Sequence, residues 1–245
     1  MDDDVVSARQ CRGIGDTGQR RPYNAAMTLR GLYLITPDED DSDRLLTRVA
    51  AVLPAGPALL QYRNKRADAV RRRDEARALK ALCDAASVPL IVNDDWRLAL
   101  EIGAHGAHLG EDDGDLAEVQ RSAPRLMLGA SCYDDLARAE TAAAAGAGYV
   151  AFGAFFRTRT KTTTRRASPD LLRETARLGL PRVAIGGITV DNAAPLIAAG
   201  AELVAVIGAV FDAAHPLVAA RRFNALFEAR RAGDESDVTD GRRAS

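Results

Sequence analysis

Residues 90–113 read LIVNDDWRLALEIGAHGAHLGEDD, and this stretch indicates the fold. Two short apolar runs, Leu90–Val92 and Gly106–Leu109, are each followed at once by polar residues, and a longer stretch separates them. Short continuous apolar runs are typical of buried strands, and the longer stretch between them has the length of a helix. The pattern therefore predicts two parallel strands joined by a crossover helix.

The same unit repeats along the chain. Stretches such as Asp68–Ala86 and Asp134–Ala145 have the periodicity of amphipathic helices and separate eight apolar runs. The predicted strands are Leu32–Thr36, Ala58–Tyr62, Leu90–Val92, Gly106–Leu109, Leu126–Ala130, Tyr149–Phe152, Arg182–Ile185 and Leu203–Val206. Eight such units in 245 residues predict an α/β fold, a single closed (β/α)8 TIM barrel. A doubly wound open sheet is the alternative, but no GxGxxG motif follows the first strand.

The two ends of the chain differ in composition from the part between them. Residues 1–27 are polar and aperiodic, and the segment from about residue 233 is rich in Asp, Glu, Arg and Ser. We expect a disordered extension over residues 1–27, a catalytic barrel over 28–232 and a disordered tail over 233–245. Met27 stands just before the first strand, so the sequence leaves open whether residues 1–26 are translated.

Composition and charge argue against several classes of function. The formal net charge is −1, so we expect no nucleic-acid partner and no membrane partner. No apolar run approaches the roughly 20 residues that cross a bilayer. The three cysteines form no CxxC pair and the three histidines form no HExxH motif. We therefore expect reduced thiols in a cytoplasmic protein, without a site for zinc.

Polar residues follow six of the eight predicted strands, at the end where a barrel carries its active site. After the second strand, Gln61, Arg63 and Lys65 alternate along the chain and therefore share one face. Two cations and an amide on one face suit an anion with several oxygens, such as a diphosphate. An ordinary solvated strand end is the alternative interpretation of this segment when it is taken alone.

Acidic clusters follow the third and fourth strands, at Asn93–Asp95 and Gly110–Asp113. Neighbouring strands lie about 5 Å apart, so carboxylates at equivalent heights can share one ion. Oxygen ligands without sulfur favour Mg²⁺, which often bridges to substrate phosphates. Capping of the following helices is the alternative role, in particular for Asp95 and Asp112.

Three further segments carry polar groups or glycines at strand ends. Ser131 ends the fifth strand, where its hydroxyl could bind a substrate or cap the next helix. The long loop Phe155–Ser168 is rich in hydroxyls and cations, which suits phosphate contact. Gly187 and Gly208 follow the seventh and eighth strands, whose loops form a recurrent phosphate site in this fold. His108 lies within the fourth strand, where packing in the barrel interior is favoured over ligand contact.

Together these segments resemble the thiamine phosphate synthase family, over about residues 30–230. The likeness is carried in order by Gly31–Pro37, Gln61–Lys65, Asn93–Asp95, His108–Gly110 with Asp112 and Asp113, Gly129–Ser131, Phe152 and Gly153 leading to Thr158–Lys161, Gly186–Thr189, and Val206 with Ile207. The resemblance implies a Mg²⁺-dependent transferase of alkyl or aryl groups. Its substrates would be 4-amino-2-methyl-5-hydroxymethylpyrimidine diphosphate and 4-methyl-5-(2-hydroxyethyl)thiazole phosphate, and its products thiamine phosphate and diphosphate.

The resemblance also implies roles for individual residues. Asp94 and Asp113 would bind Mg²⁺. Catalytic roles fall to Arg63, Lys65, Ser131 and Lys161. The pyrimidine diphosphate would be bound by Gln61, Tyr62, Arg63, Asn64, Lys65, Asn93, Ser131 and Lys161. The thiazole phosphate would be bound by Thr158, Arg159, Thr160, Gly187, Ile207 and Gly208. The positions that depart from the usual family pattern, and whose substrate contacts stay open, are Glu111, Arg157, Arg159 and Gly208.

The implied reaction needs no protein nucleophile. The thiazole nitrogen attacks the pyrimidine CH₂ while diphosphate leaves, and the aminopyrimidine can stabilise a cationic CH₂, so a dissociative path fits. Alternatives on the same barrel are a thiazole phosphate isomerase, a Schiff-base aldolase using Lys65 or Lys161, and a non-catalytic binder of thiamine precursors. The sequence leaves open the preferred thiazole form, the kinetics, and whether the chain forms a homo-oligomer.

Overall fold

The structure, a computed structural model, describes residues 29–157 and 164–241, with side chains up to residue 230. Within these residues, eight parallel strands form a closed barrel in which each strand pairs with the next and the last pairs with the first. They are β1 (Gly31–Ile35), β2 (Leu59–Tyr62), β3 (Leu90–Asn93), β4 (Gly106–Leu109), β5 (Met127–Tyr133), β6 (Tyr149–Phe152), β7 (Arg182–Ile185) and β8 (Leu203–Val206). The predicted closed barrel is confirmed, and the alternative of an open doubly wound sheet is wrong.

Helices connect the strands and cover the outside of the barrel. They are α1 (Ser42–Val52), α2 (Ala69–Ala85), α3 (Trp96–Glu101), α4 (Leu116–Ser122), α5 (Leu136–Ala144), α6 (Pro169–Glu174), α7 (Ala194–Ala198), α8 (Gly208–Phe211) and α9 (Pro216–Gly241). Short 3₁₀ helices follow α1 at Leu53–Ala55 and α6 at Thr175–Leu178. None of the helices in the described part of the chain has the length and apolarity to cross a membrane.

The strand boundaries agree with the sequence pattern to within one residue except at β5. This strand runs to Tyr133, three residues beyond the predicted end at Ala130. Tyr133 pairs with Phe152 after a shift in register that follows Ser131. In the sequence, the polar Ser131 suggests that the strand has ended. In the structure its side chain is on the interior face and the strand continues for two more residues, to Tyr133.

The structure describes only part of the two chain ends. The disorder expected over residues 1–27 falls on residues that the structure does not describe. At the other end, α9 continues past residue 232 to Gly241, where the sequence pattern predicts a disordered tail. Extending an existing helix by one residue costs much less than starting one, so a helix anchored by the buried Phe223 and Phe227 can run on into polar sequence.

Strand alternation divides the apolar side chains into two layers. Tyr33, Ile91 and Tyr149 fill the barrel interior, whereas Leu34 and Leu60 pack between the sheet and the helices. Neighbouring residues in a strand point to opposite faces, so one strand contributes to both layers. The polar residues that alternation places on the interior face, towards the carboxyl ends of their strands, are Gln61, Asn93, His108 and Ser131.

Aspartates begin the first five helices. Asp41, Asp68, Asp95, Asp115 and Asp135 are the N-caps of α1 to α5, and each accepts a hydrogen bond from a backbone N–H of its helix. This contact satisfies a donor that the first turn leaves unpaired and places negative charge at the positive end of the helix. The capping role proposed for Asp95 is therefore confirmed, but α4 is capped by Asp115 and not by Asp112.

Asn224 on α9 forms hydrogen bonds with two other segments at the amino-terminal side of the barrel. Its Oδ1 accepts from the backbone N–H of Leu32 at 3.2 Å, and its Nδ2 donates to the carbonyls of Ala55 at 2.7 Å and Gly56 at 3.2 Å. One side chain thus joins the last helix, the first strand and the turn before β2.

Replacement of Asn224 by Ala should lower the free energy of unfolding by about 1–3 kcal/mol, because its partners lose a hydrogen bond inside the fold. Chemical denaturation measures this change. Glu228→Ala, at an exposed position of the same helix, is the control and should cost less than about 0.5 kcal/mol. Equal stability of the two variants would contradict the anchoring role of Asn224.

Candidate active site at the carboxyl ends of the strands

The carboxyl ends of β2, β3 and β4 bring the predicted diphosphate and metal residues to one side of the barrel mouth. The ammonium of Lys65 lies 3.8 Å from Oδ2 of Asp94. A small pocket at this edge is lined by Arg63, Lys65, Asn93 and Asp94, among others. Cations and carboxylates that are separated by about 30 residues in the chain therefore meet in the fold.

Arg63 is held by the loop that follows β1. Its Nη1 donates to both oxygens of Asp38, each at 2.9 Å. The backbone of Arg63 is also fixed, since its N–H donates to Oγ1 of Thr36 at 2.8 Å and its carbonyl accepts from the same hydroxyl at 2.7 Å. The guanidinium is thereby oriented from both its backbone and its head group.

Asp38 also accepts from the backbone N–H of Lys65 at 2.7 Å. Partial burial acts to raise the pKa of Asp38, but this hydrogen bond and the Arg63 guanidinium outweigh it, so the pKa lies below its usual value. The carboxylate is therefore ionised at neutral pH and holds both cationic residues of the β2 end in place.

Asp94 and Asp113 form a pair of carboxyl groups at the ends of β3 and β4. Asp94 has a left-handed backbone with φ of 63°, and its N–H donates to the carbonyl of His108 at 2.8 Å. Asp113 accepts from the backbone N–H of Gly110 at 2.7 Å. These contacts turn two side chains on neighbouring strands towards each other.

The pairing changes the acidity of Asp94. Burial raises the pKa of this carboxyl, a hydrogen bond with Asp113 and repulsion from its charge raise it further, and Lys65 and Arg63 offset part of the rise. Two carboxyl groups that destabilise each other's charge suit a cation between them. The described residues contain no cluster of three His, Cys, Asp or Glu, so an ion bound by this pair would take its other ligands from water or substrate, as Mg²⁺ commonly does.

Tyr62 and Asn64 also line the small pocket at the barrel mouth, but their polar groups are hydrogen-bonded within the protein. Tyr62 lies in the layer between sheet and helices, where its hydroxyl donates to Glu75 at 2.7 Å. The buried amide of Asn64 donates to the carbonyl of Glu39 at 2.8 Å and to Glu75 at 3.0 Å. The sequence pattern groups them with Arg63 because they are adjacent in the chain, but alternation turns them towards the helices.

A chain of hydrogen bonds crosses the barrel interior. The amide Nε2 of Gln61 donates to the hydroxyl of Tyr33 at 2.7 Å, and this hydroxyl lies 2.7 Å from that of Tyr149. Tyr149 is 3.0 Å from Nδ1 of His108, whose Nε2 is 2.9 Å from Oγ of Ser131. Two of the predicted pyrimidine contacts, Gln61 and Ser131, are thus the two ends of one buried network.

Burial sets the protonation of this network. It lowers the pKa of His108 to about 4, although the charge of Asp113 acts in the opposite direction. Burial also raises the pKa of Tyr33 and of Tyr149 above the usual value. Both phenols and the imidazole are therefore neutral near pH 7. The interior position predicted for His108 is confirmed.

The glycines after β7 allow two loops to approach closely. Gly187 has φ of 65°, and a Cβ on it would lie 2.2 Å from the carbonyl oxygen of Arg157. The N–H of Phe156 donates to the carbonyl of Gly186 at 2.9 Å. The end of the β6 loop therefore lies against the glycine turn. Its continuation, which holds the predicted contacts Thr158, Arg159, Thr160 and Lys161, lies outside the described residues.

Glu111 and Gly208, two of the positions that depart from the usual family pattern, both have close neighbours in the structure. Glu111 forms ion pairs with Arg138 and Arg165, each at 3.1 Å, and so joins the loop after β4 to the far end of the β6 loop. Gly208 begins α8 directly after Ile207, and a Cβ on it would lie 2.7 Å from Oδ2 of Asp212.

Asp38, Tyr33 and Tyr149 are functional candidates that the sequence pattern does not single out. Asp38 follows β1, so the rule that polar residues after a strand face the mouth would find it. The two tyrosines lie within apolar runs, where a hydroxyl gives no separate signal. Their hydrogen-bond partners are on other strands and come close only in the closed barrel.

A closed barrel whose mouth joins cations, paired carboxyl groups and glycine-rich loops defines an enzyme that acts on phosphorylated substrates. A family profile described as thiamine monophosphate synthase matches residues 32–210. A thiamine-phosphate synthase of Xanthomonas campestris pv. campestris (strain 8004) is 55% identical over 201 residues, which are 81% of this chain and 96% of the relative. One from Azoarcus sp. (strain BH72) is 57% identical over 201 residues, or 81% and 98%. The chain belongs to the thiamine monophosphate synthase family.

Solved structures give the same result for the fold. A thiamine phosphate pyrophosphorylase from Pyrococcus furiosus superimposes with a TM-score of 0.72 at 31% identity, covering 81% of this chain and 95% of that chain. A 3-hexulose-6-phosphate synthase superimposes with a TM-score of 0.60 at 17% identity, covering 80% and 99%. The second likeness concerns the barrel alone.

The low pKa of His108 links folding to pH. The unfolded chain has a histidine of ordinary pKa near 6.5 and binds more protons than the folded chain between about pH 4 and 6.5, so stability rises with pH in that window. Between pH 7 and pH 5 the wild type should lose about 2 kcal/mol more than His108→Gln. Urea denaturation at several pH values measures the difference, with the exposed His215→Gln as control. Parallel profiles for wild type and His108→Gln would contradict a neutral, buried imidazole.

Proposed function

We propose that this chain catalyses the synthesis of thiamine phosphate, by transferring the (4-amino-2-methylpyrimidin-5-yl)methyl group from its diphosphate to the nitrogen of a thiazole phosphate, with release of diphosphate. The observation that carries the proposal is the convergence of Arg63 and Lys65 on Asp94, which is itself paired with Asp113, at one edge of the barrel mouth. A leaving diphosphate carries several negative charges and needs cations at its oxygens. Membership of the family supports the identity of the two substrates.

Asp94 and Asp113 would hold Mg²⁺ in this proposal. The donor set fits, because it consists of oxygen ligands from two adjacent strands whose mutual repulsion a divalent ion relieves. The bound ion would supply neutralisation of the charge that develops on the leaving diphosphate. Lys65, beside Asp94, adds a monovalent charge at the same edge.

Arg63 would bind the diphosphate in one fixed orientation. A guanidinium matches phosphate oxygens with paired N–H donors, and its planar shape makes the match directional. Asp38 holds the plane of the guanidinium through Nη1, which decides where the other donors point. Asp38 is therefore a positioning residue, while Tyr62 and Asn64 support the β2 end from behind through Glu75.

The pyrimidine ring would lie over the interior network, against Gln61, Asn93 and Ser131. An aminopyrimidine stabilises positive charge on its CH₂, so loss of diphosphate can precede attack by the thiazole nitrogen. The chain needs no nucleophile for this step. It needs donors placed where charge develops and a site that excludes water from the cationic carbon.

The thiazole phosphate would be held by its phosphate at the loops after β7 and β8, from Gly187, Ile207 and Gly208. Binding through a remote group aligns the reacting nitrogen and replaces a bimolecular encounter by a positioned one. The loop residues Thr158, Arg159, Thr160 and Lys161 would complete the phosphate contacts in the same proposal, with Lys161 also neutralising the departing diphosphate.

The rival aldolase mechanism does not suit Lys65. Its side chain is 62% exposed and its nitrogen lies 3.8 Å from Oδ2 of Asp94, whereas a Schiff-base lysine needs a desolvated amine. We place the reaction in the cytoplasm because Cys83 and Cys132 are free thiols. Burial raises the pKa of each of these thiols to about 12, which suits a structural role.

Asp94→Asn tests the metal site, because it removes the charge and keeps the size of the side chain. It should lower Mg²⁺-dependent formation of thiamine phosphate by at least about 100-fold. Mg²⁺ with inorganic diphosphate should raise the melting temperature of the wild type and not of the variant. Asp112→Asn, at the exposed position directly before Asp113, is the control.

Asp112→Asn should retain wild-type activity and the wild-type response to Mg²⁺. If Asp94→Asn kept near-normal turnover with an unchanged melting response, Asp94 would be removed from the metal site. If both variants lost activity equally, general loss of negative charge at the mouth would account for the effect.

A further inference from the structure

The interior chain of hydrogen bonds has a direction. It joins Gln61, Tyr33, Tyr149, His108 and Ser131 through four contacts of 2.7 to 3.0 Å. Each tyrosine hydroxyl carries one proton, and a neutral imidazole carries one proton on either nitrogen. Every contact needs one donor and one acceptor, and each buried phenol proton needs an acceptor within the chain, so the protons along the chain must all point the same way.

Two arrangements satisfy all four contacts. In the first, Gln61 donates to Tyr33, the tyrosines donate onward to Nδ1 of His108, and Nε2–H of His108 donates to Ser131. In the second, every proton is reversed and the amide oxygen of Gln61 accepts from Tyr33. With the amide nitrogen of Gln61 facing Tyr33, a doubly protonated His108 would leave the hydroxyl proton of Tyr33 without an acceptor in the interior, which is costly for buried polar groups.

The amide nitrogen of Gln61 is the atom that faces Tyr33, which selects the first arrangement. His108 then carries its proton on Nε2, and Ser131 accepts from it. The hydroxyl proton of Ser131 is consequently directed elsewhere, and the half-buried serine stands at the mouth side of the network. The two ends of the chain thereby present opposite polarity: a donor at Ser131 and an amide oxygen at Gln61.

A 4-aminopyrimidine has the complementary polarity, since its amino group donates and its adjacent ring nitrogen accepts. A 4-oxopyrimidine has the reverse, because its carbonyl accepts and its ring N–H donates. Binding the oxo form in the same pose would require all protons of the chain to reverse together, or would leave a buried group unpaired.

We propose that Tyr33, Tyr149 and His108 are positioning residues that set the hydrogen-bond polarity of Gln61 and Ser131, so that the site accepts an aminopyrimidine and rejects its oxo counterpart. The inference rests on the proposed function for the identity of the ring. None of the three residues needs to touch the substrate, and all three are buried within the barrel.

The proton position on His108 is the direct test, measured on the full chain by NMR with ¹⁵N-labelled histidine. The chain has three histidines, and His108→Gln identifies the signals of this one. The wild type should show a proton on Nε2 and none on Nδ1. Tyr149→Phe removes the donor to Nδ1, so a population with the proton on Nδ1 should appear. Tyr33→Phe leaves Tyr149 to donate to Nδ1 and should keep the proton on Nε2, so the readout of this second variant is kinetic.

Kinetics give the second readout. Both tyrosine variants should raise the KM for the pyrimidine diphosphate at least about tenfold, a change of about 1.4 kcal/mol, and leave the KM for the thiazole phosphate within about twofold. The 4-oxo analogue of the pyrimidine diphosphate should inhibit the wild type at least about tenfold more weakly than the substrate binds, or not at all. Thr175→Val, which removes a buried hydroxyl of the 3₁₀ helix after α6, is the control and should change none of these values.

A wild-type His108 with its proton on Nδ1 would overturn the inference, and so would a Tyr149→Phe variant that keeps the wild-type tautomer or tyrosine variants that keep the wild-type KM. Strong inhibition by the oxo analogue would also overturn it. These results are distinct from failure of the proposed function. An active enzyme with the proton on Nδ1 loses this inference alone, whereas a wild type that makes no thiamine phosphate loses the proposed function and with it the assignment of the ring.

Discussion

The pairing of β1 with β8 closes the sheet, and the arrangement of the mouth depends on that closure. A closed parallel barrel sends all its strands out at one end, and its period of two decides which side chains enter the interior. Asn93 is aligned with His108 by the register of β3 and β4, and Ser131 lies one pleat beyond the partner of His108 on β5. A shift of one residue in any of these registers would turn the polar side chains towards the helices.

The barrel mouth contains features that each lower the stability of the fold. Two carboxyl groups on adjacent strands repel each other, and one of them sits on a left-handed residue. Such an arrangement costs stability, which is common where a site must bind charge. Arg63, Lys65 and Asp38 surround the pair with alternating charge. The site is thereby organised for a ligand that brings both a cation and an anion, as a metal diphosphate does.

The sequence predicts most of the fold because the apolar runs and their period directly encode burial. It predicts the acidic pair and the basic segment because strand ends in a barrel are marked by polar residues. It does not show that Tyr62 and Asn64 are hydrogen-bonded to Glu75, because their adjacency to Arg63 hides a different orientation. It also misses Tyr33 and Tyr149, since a tyrosine in an apolar run looks like any core residue. Contacts across the interior join residues 116 positions apart, and no local pattern announces such a pair.

Formation of both products from both substrates is the most direct test of the proposed synthesis of thiamine phosphate. The full chain is incubated with the pyrimidine diphosphate and the thiazole phosphate, with and without Mg²⁺, while thiamine phosphate and diphosphate are followed together. The two products should appear in equal amounts and only with the metal. Absence of thiamine phosphate under conditions where both substrates bind would rule out the proposed activity.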